Sequence, residues 1–293
     1  MSGNIFSGSD SLKNIKWRKM SNNNKDVFPV EKMLRDLEND YVSACAKFLA
    51  RDISKDNVWI LPEPYKALIV FYRSTVVPVF CSLPEIPPPK FLNNFFMPKV
   101  HSIQGFKEEV ILLEKFLVQS GRKISDIFDY DLMDLEQPSL RLAEGRSTVS
   151  NLVLRVPRFT DLDALAPLQA AYEHEEVLHK GSVFSPAASR ISLEKIIKDG
   201  IMLVAEVNGR IVGKINVSGI SFTKYLVGGV FVHPDFRGKG IAGNMTSKFI
   251  NSLTAGGRGV TLFVKKSNIA ARKLYLRLGF KVRGDYRITY FYN

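Results

Sequence analysis

A stretch of 28 residues, from Gly228 to Ala255, constrains the fold more than any other part of the sequence. It reads GGVFVHPDFRGKGIAGNMTSKFINSLTA. The β-branched and aromatic run at 230–232 predicts a buried strand. The following proline ends this strand, because proline cannot donate to a sheet ladder. After the turn at 237–240, apolar residues recur at the spacing of one helix face: Ile241, Met245, Phe249 and Leu253. The sequence therefore predicts a strand, a glycine-rich turn and an amphipathic helix in succession.

The turn between this strand and this helix predicts an anion site. The first amides of a helix have no acceptor within the helix, and the helix dipole makes that end positive. Glycines in the turn let a ligand approach the backbone without meeting a Cβ atom. The pattern suits a phosphate or diphosphate group. The predicted contacts are Arg237, Gly238, Lys239, Gly240, Ile241, Ala242 and Gly243.

A second helix is predicted to follow Asn268, which is a good N-cap, and to end before Gly279, a natural residue for the position after a helix. Asn268, Ala271, Arg272 and Tyr275 are spaced to lie on one face of this helix. The segment reads NIAARKLYLRLGF.

Together the two segments resemble the signature motifs of the GNAT acyltransferase superfamily. The first is R-x-x-G-x-A at 237–242, and the second is N-x-x-A-x-x-L-Y-x-x-x-G-F at 268–280. The resemblance implies a GNAT fold over residues 149–293 and acetyl-CoA (coenzyme A) as the cofactor. It also implies that the pantetheine arm lies along the backbone of Val230, Phe231 and Val232, near Asn268, Ala271 and Arg272.

Transfer of an acyl group from a thioester to an amine needs a proton donor for the leaving thiolate and a neutral attacking amine. Tyr275 is the predicted general acid, because a phenol is protonated at neutral pH. Many GNAT enzymes place a glutamate on the central strand, but residues 225–227 here are Tyr-Leu-Val. Glu175 and Glu176 are therefore the candidate base or amine-binding residues, although a glutamate run on a helix is also typical of a solvated face.

The net charge of +12 is concentrated in the C-terminal segment. Residues 237–293 contain twelve of the 41 Lys and Arg residues but one of the 29 acidic residues. Such a field concentrates polyanions. Coenzyme A and nucleic acid both meet that description, but no nucleic-acid reading motif is present, which disfavours nucleic acid as a partner.

Other features of the sequence bear on the cellular location of the protein. The most apolar run, 67–83, is interrupted by Arg73, Ser74 and Pro78, so no membrane span is expected. The first residues have no continuous apolar region of the kind found in signal peptides. Cys45 and Cys81 show neither metal-ligand spacing nor a disulfide framework, and no metal site is expected. These features predict a cytoplasmic protein.

The chain is predicted to divide into a disordered or loosely attached tail at 1–27, an N-terminal α/β domain at 28–148 and the GNAT domain at 149–293. The expected fold class is α/β with a mixed sheet. The N-terminal domain is smaller. Its DYDLM strand, with the later LQAAYEHEEVL segment, resembles a bacterial subgroup of predicted acetyltransferases in which a degenerate GNAT-like domain precedes an active one. An unrelated α/β domain stays open as the alternative.

The leading hypothesis is an acyl-CoA-dependent N-acyltransferase that moves acetyl from acetyl-CoA to an amine by direct attack in a ternary complex. The alternative is a non-catalytic acyl-CoA-binding or regulatory protein, suggested by the absent strand glutamate. The sequence identifies neither the acceptor amine nor the oligomeric state.

Overall fold

The computed structural model of the protein describes residues 17–52, 56–61, 67–81, 100–135 and 147–292. Twelve strands form one sheet in these residues, with the order β1-β2-β3-β4-β5-β12-β6-β11-β10-β9-β8-β7. The strands are β1 Arg18–Lys19, β2 Asn57–Leu61, β3 Ala67–Tyr72, β4 Thr75–Phe80, β5 Ser102–Phe106, β6 Ile124–Leu135, β7 Leu152–Arg155, β8 Met202–Val207, β9 Arg210–Ile220, β10 Lys224–Val232, β11 Gly259–Lys265 and β12 Lys281–Phe291.

Seven α-helices within the described residues pack on the sheet. They are α1 Asn24–Asp36, α2 Glu38–Leu49, α3 Lys107–Gln119, α4 Leu162–Tyr172, α5 Pro186–Asp199, α6 Ile241–Thr254 and α7 Ile269–Arg277. A π-helical turn, Glu173–Val177, continues α4, and short 3₁₀ turns lie at Phe159–Asp161 and Pro234–Phe236. The predicted α/β class with a mixed sheet is confirmed. No helix in the described ranges has the length and apolarity needed to span a membrane.

The two halves of the chain exchange strands at the middle of the sheet. β12, from the C-terminal half, lies between β5 and β6 of the N-terminal half and is antiparallel to both. β6 in turn lies against β11. Asp134 of β6 accepts hydrogen bonds from the Lys224 ammonium, at 2.8 Å to each oxygen, and from the Thr261 hydroxyl at 2.7 Å. This buried contact joins β6 to β10 and β11, so the halves share one sheet, while the boundaries at 27/28 and 148/149 stay a prediction.

The two halves also repeat one order of elements. Each half contains an antiparallel hairpin, a third strand that is parallel to the second strand of the hairpin, a helix and a long strand. These elements are β3, β4, β5, α3 and β6 in the N-terminal half, and β9, β10, β11, α7 and β12 in the C-terminal half. β4 and β5 pair over only two positions, Thr75 with Ser102 and Val76 with Ile103.

Two apolar clusters cover opposite faces of the C-terminal half of the sheet. One contains Met245 and Phe249 of α6 together with Tyr275 and Phe280. The other joins α4 and α5 to β8, β9 and Phe231 of β10. β10 therefore contributes side chains to the packing on both faces of the sheet.

Several boundaries differ from the sequence prediction. The apolar spacing from 30 to 49 is typical of one helix, but the segment forms two helices that are separated at Leu37, where the backbone leaves helical geometry. Within the predicted tail, Arg18–Lys19 pairs with β2, Met20 is buried and α1 begins at Asn24. The proline-rich stretch at 84–89 and most of the segment at 136–148, just before the predicted GNAT domain, lie outside the described residues.

A buried carboxyl group lies beside the parallel pair of the N-terminal half. Glu109 Oε1 accepts hydrogen bonds from the Phe80 amide at 2.8 Å and from the Tyr41 hydroxyl at 2.6 Å. Burial raises the pKa of Glu109 from 4.5 to about 8, because the charged form is poorly solvated there. The protonated carboxyl therefore stabilises the fold fully below pH 4.5, and this contribution is lost as the pH rises to about 8.

Glu109→Gln is expected to remove this pH dependence, because the amide oxygen can still accept both hydrogen bonds and does not ionise. Between pH 5 and pH 8.5, the free energy of unfolding should fall more for the wild type than for the variant. Urea unfolding at both pH values measures the difference. Glu108→Gln, at the exposed neighbouring position, is the matched control and should keep most of the wild-type pH dependence, because Glu108 raises the pKa of Glu109 less than burial does. Equal pH dependence in the wild type and Glu109→Gln would contradict the assignment.

Candidate active site

The candidate site begins where the parallel strands β10 and β11 separate. They pair from Lys224 with Gly259 to Val227 with Leu262, and β10 then continues to Val232. Within the described strands, the edge of β10 at 228–232 that faces β11 has no ladder partner. Such an edge presents backbone donors and acceptors to an extended ligand.

A bulge in β10 lies at the start of this opening. The pairing of β10 with β9 shifts between Gly228 and Phe231, and Gly229 has φ +62°. A Cβ atom on Gly229 would lie 1.9 Å from Asn216 Oδ1. Gly229 therefore lies in a β-bulge, where glycine is required by both conformation and space.

The three residues of β10 that are predicted to contact the cofactor differ in burial. Phe231 and Val232 are buried on opposite faces of the sheet, and Val230 is half-buried. Their side chains are therefore part of the core, and it is their backbone that borders the opening.

The glycine turn lies just beyond the end of β10 and is exposed from Arg237 to Gly240. Gly240 is the N-cap of α6 with φ +80°, and no side chain caps this helix. Gly238 has φ +75° and no heavy atom within 4 Å of its Cβ position. The amides at the start of α6 thus border open space, which is the geometry that suits a phosphate oxygen.

The helix itself is anchored by its apolar face. Ile241 is buried, Ala242 packs on the same cluster, and a Cβ on Gly243 would lie 3.5 Å from Leu274 on α7. This packing fixes where the first turn of α6 points.

The two cations of the turn are held by neighbouring backbone. Arg237 Nε donates to the Val232 carbonyl at 2.9 Å, and its Nη2 pairs with Glu175 at 2.8 Å. Lys239 Nζ donates to the Asp235 carbonyl at 2.9 Å. On the other side of the turn, the Lys239 carbonyl accepts from the Ser147 hydroxyl and the Thr148 amide. These contacts keep the charged side chains of Arg237 and Lys239 at the turn, and the space beside the turn amides stays open.

Glu175 and Glu176 lie on the π-helical turn after α4. Glu176 accepts from Asn268 Nδ2 at 3.0 Å and lies 3.4 Å from Lys265 Nζ. Since Glu175 pairs with Arg237, the two carboxylates connect this turn to the glycine turn and to α7. π-Helical turns are common at functional sites. The predicted role of these glutamates as base or amine-binding groups stays a prediction.

Asn268 caps α7, as expected, because its Oδ1 accepts from the Ala271 amide at 3.0 Å. Arg272 pairs with Asp131 of β6 at 2.5 Å, and its predicted role in binding the cofactor stays a prediction. The structure thus brings Asn268 to the opening through Glu176, whereas Arg272 faces the strand supplied by the N-terminal half.

Tyr275 is buried on α7 and packs edge-on against Phe280, with 5.9 Å between ring centroids. Burial raises its pKa above the usual value, and the negative charges that develop on Tyr172 and Glu176 raise it further. The phenol is therefore protonated at neutral pH and can donate a proton.

Sequence reasoning did not identify a polar cluster at the bulge, in which Lys214 and Asn216 are buried and Tyr172 is half-buried. It contains Tyr172 at the end of α4, and Lys214 and Asn216 on β9. Burial raises the pKa of Tyr172 to about 12, and a hydrogen bond from the Gly229 amide opposes the rise. The available signal was a lysine and an asparagine in the apolar run IVGKINV at 211–217.

Comparison with known proteins agrees with this geometry. Residues 198–282 match the family model described as an acetyltransferase (GNAT) domain. An acetyltransferase of Pectobacterium atrosepticum is 39% identical over 84 residues, which are 28% of this chain and 57% of that protein. An acetyltransferase of Yersinia pestis is 35% identical over 86 residues, 28% of this chain and 59% of that protein. The alignment thus covers less than two thirds of the length of these curated relatives.

Solved structures resemble the whole chain. A Drosophila protein aligns with 94% of this chain and 98% of its own, with a TM-score of 0.64 and 11% identity. A tandem GNAT protein from the clavulanic acid biosynthesis pathway aligns with 94% of this chain and 98% of its own, with a TM-score of 0.56 and 12% identity. The second likeness favours a GNAT-like fold for the N-terminal half over an unrelated domain. The motif-bearing turn and the separated parallel strands β10 and β11 both lie within residues 198–282, the segment that matches the acetyltransferase (GNAT) domain model.

Proposed function

We propose that the protein is an acyl-CoA-dependent N-acyltransferase that moves acetyl from acetyl-CoA to an amine by direct attack in a ternary complex. The observation that carries the proposal is the exposed, uncapped start of α6 beside the unpaired edge of β10. The first feature suits a diphosphate, and the second suits an extended chain with amide groups. The activities of relatives that this chain matches over part of their length support the proposal without defining the acceptor.

The residues around the opening fit this chemistry. The amides from Gly238 to Gly243 would hold phosphate oxygens, with Arg237 and Lys239 as supplementary charge. Acetyl-CoA would supply the activated acyl group. The backbone of β10 would orient it, and Tyr275 would hold the proton that a leaving thiolate requires.

Acetyl-CoA is expected to raise the melting temperature by several degrees at 100 times its dissociation constant, where ligand binding contributes about 2.7 kcal/mol. Arg237→Glu should weaken this effect by reversing the charge at the turn, and Gly240→Trp should abolish it by filling the turn. Arg258→Glu makes the same charge change beyond the far end of α6 and should keep the wild-type shift. Differential scanning fluorimetry measures all four proteins.

A wild-type melting temperature that does not change with millimolar acetyl-CoA would refute the proposal. Release of CoA thiol in the presence of an amino acid, a polyamine, an aminoglycoside or a peptide with a free N-terminus would separate an enzyme from the non-catalytic alternative. Stabilisation by acetyl-CoA without thiol release from any of these would favour the binding protein.

A further inference from the structure

Lys214 is a lysine enclosed at the bulge, and the structure gives its amine few partners. Its side chain is 1% exposed. Nζ donates to the Gly229 carbonyl at 3.0 Å and lies 4.1 Å from the centre of the Tyr172 ring. An ammonium carries three donors. Here the partners of these donors are one carbonyl oxygen and one aromatic ring face.

No carboxylate compensates a charge at this position. Among the described residues, none lies within 4 Å of Lys214 Nζ as an ion-pair partner. Glu173, on the π-helical turn, raises the pKa of Lys214, but burial lowers it more, to about 7. The strand neighbours of Lys214 on β8 and β10 are Val204 and Phe231, which do not ionise. Tyr172 and Glu173 are thus the titratable groups that face it, and about half of the amine is neutral near pH 7.

The surroundings also leave an acceptor atom unused. Asn216 Oδ1 is buried without a hydrogen-bond partner in the described structure. Asn216 Oδ1 and Lys214 Nζ lie 1.9 Å and 3.1 Å from the Cβ position of Gly229. A lone pair on nitrogen and a free amide oxygen therefore border the same point of the bulge. A donor group such as an ammonium is the chemical complement of two acceptors.

Lys214 and Tyr275 lie on opposite faces of the sheet, and the Tyr275 phenol is near enough to Tyr172 and Glu176 for their negative charges to raise its pKa. Lys214 is in register with Val204 and Phe231, whose side chains belong to the cluster under α4 and α5. Tyr275 belongs to the cluster under α6. The bulge thus has a potential proton acceptor on one face and a proton donor on the other.

We propose that Lys214 is the proton acceptor that converts the ammonium of the acyl acceptor into the attacking amine, in place of a glutamate on the central strand. This inference rests on the proposed function. Lys214 takes one proton from the ammonium, and the nitrogen lone pair forms the N–C bond as the C–S bond breaks. The sulfur takes the Tyr275 proton, the second amine proton restores the phenol, and Lys214 releases its proton to water.

The first test is the pH dependence of turnover in Lys214→Met, which preserves the volume of the side chain and removes its basic nitrogen. We expect the variant to keep the acetyl-CoA-induced rise in melting temperature and to lose about 10²- to 10³-fold in kcat/KM at pH 7. The rate should recover toward pH 10, where the acceptor amine is itself neutral. Lys248→Met, at an exposed position on α6, is the matched control and should keep the wild-type profile.

A wild-type rate and pH profile in Lys214→Met would overturn the assignment. Absence of both acetyl-CoA stabilisation and CoA release in the wild type would instead refute the proposed function. A structural role alone would lower the melting temperature without shifting the pH profile.

The second test needs no acceptor and no folded variant. In wild-type protein labelled with [¹³Cε]lysine, the Lys214 Cε signal is expected to titrate near pH 7. Burial also lowers the pKa of Lys47 to about 8, so a second signal should titrate below the ordinary range. Loss of the lower-titrating signal in Lys214→Arg identifies Lys214, and a Lys47 signal that is alone in this range would overturn the proposal. If that variant does not fold, the signal is assigned by its contacts with the Tyr172 ring. Titration of every lysine signal near the ordinary value of about 10.4 would overturn the proposal whatever the kinetics show.

Discussion

Gly229→Ala is expected to destabilise the protein by about 3 kcal/mol or more and to abolish acyl transfer. The added Cβ would lie 1.9 Å from Asn216 Oδ1 and 2.9 Å from its Cγ. A left-handed backbone conformation costs an alanine about 1–2 kcal/mol, and displacement of a buried amide adds to that cost. The shift would also move the carbonyl that holds Lys214. Denaturant unfolding and CoA release measure the two effects.

Gly200→Ala separates backbone strain from the steric clash. Gly200 has φ +72°, close to that of Gly229, but nothing lies within 4 Å of its Cβ position at the end of α5. This control should lose about 1 kcal/mol. Adding Asn216→Ala to Gly229→Ala should restore part of the stability, because it removes the atoms that clash. Equal losses in Gly229→Ala and Gly200→Ala would show that the bulge is not sterically constrained.

Local features of the C-terminal half were predictable because their causes are local in sequence. Proline and glycine mark where β10 ends and α6 begins, and Asn268 and Gly279 bracket α7. The β-branched and apolar run at 260–264 lies within β11, Gly259–Lys265. Short-range rules on caps, turns and strand breakers were sufficient for these elements.

The exchange of strands was not predictable in the same way. β6 reaches β11 across more than a hundred residues of sequence, and the apolar pattern of β6 fits many partners equally well. Its position is determined by tertiary contacts such as Asp134 with Lys224 and Thr261. The separation of α1 from α2 at Leu37 has a similar origin, because the helical apolar spacing continues across a break that packing imposes.

The candidate site likewise contains some residues that the sequence reveals and others that only the folded structure reveals. The glycine turn and Tyr275 belong to contiguous motifs, so their spacing reveals them. Lys214 and Tyr172 belong to no motif. Their possible role is recognised only from their proximity to Gly229 in the folded chain. A lysine in an apolar strand is a sequence signal for a special environment, but its partner and its charge state depend on the opposite face of the sheet.

Tyr275→Phe is expected to lower turnover by about 10²- to 10⁴-fold while leaving acetyl-CoA binding intact. The substitution removes the phenolic proton but preserves the ring that packs on Phe280. Because burial raises the pKa of Tyr275 above its usual value, the wild type should show no loss of rate from this group between pH 6 and pH 9. Single-turnover release of CoA thiol measures the effect, and the acetyl-CoA thermal shift checks binding.

The leaving group distinguishes proton donation from a packing role. If Tyr275 protonates the departing sulfur, a thioester whose thiol has a low pKa needs less help, because its thiolate leaves unprotonated. The ratio of wild-type to Tyr275→Phe rates should therefore be much smaller with an S-acetyl arylthiol than with acetyl-CoA. Tyr225→Phe, in the part of β10 that still pairs with β11, is the control and should give a ratio near 1 with both donors. An equally large ratio with both donors would assign Tyr275 to packing and require another acid at the opening.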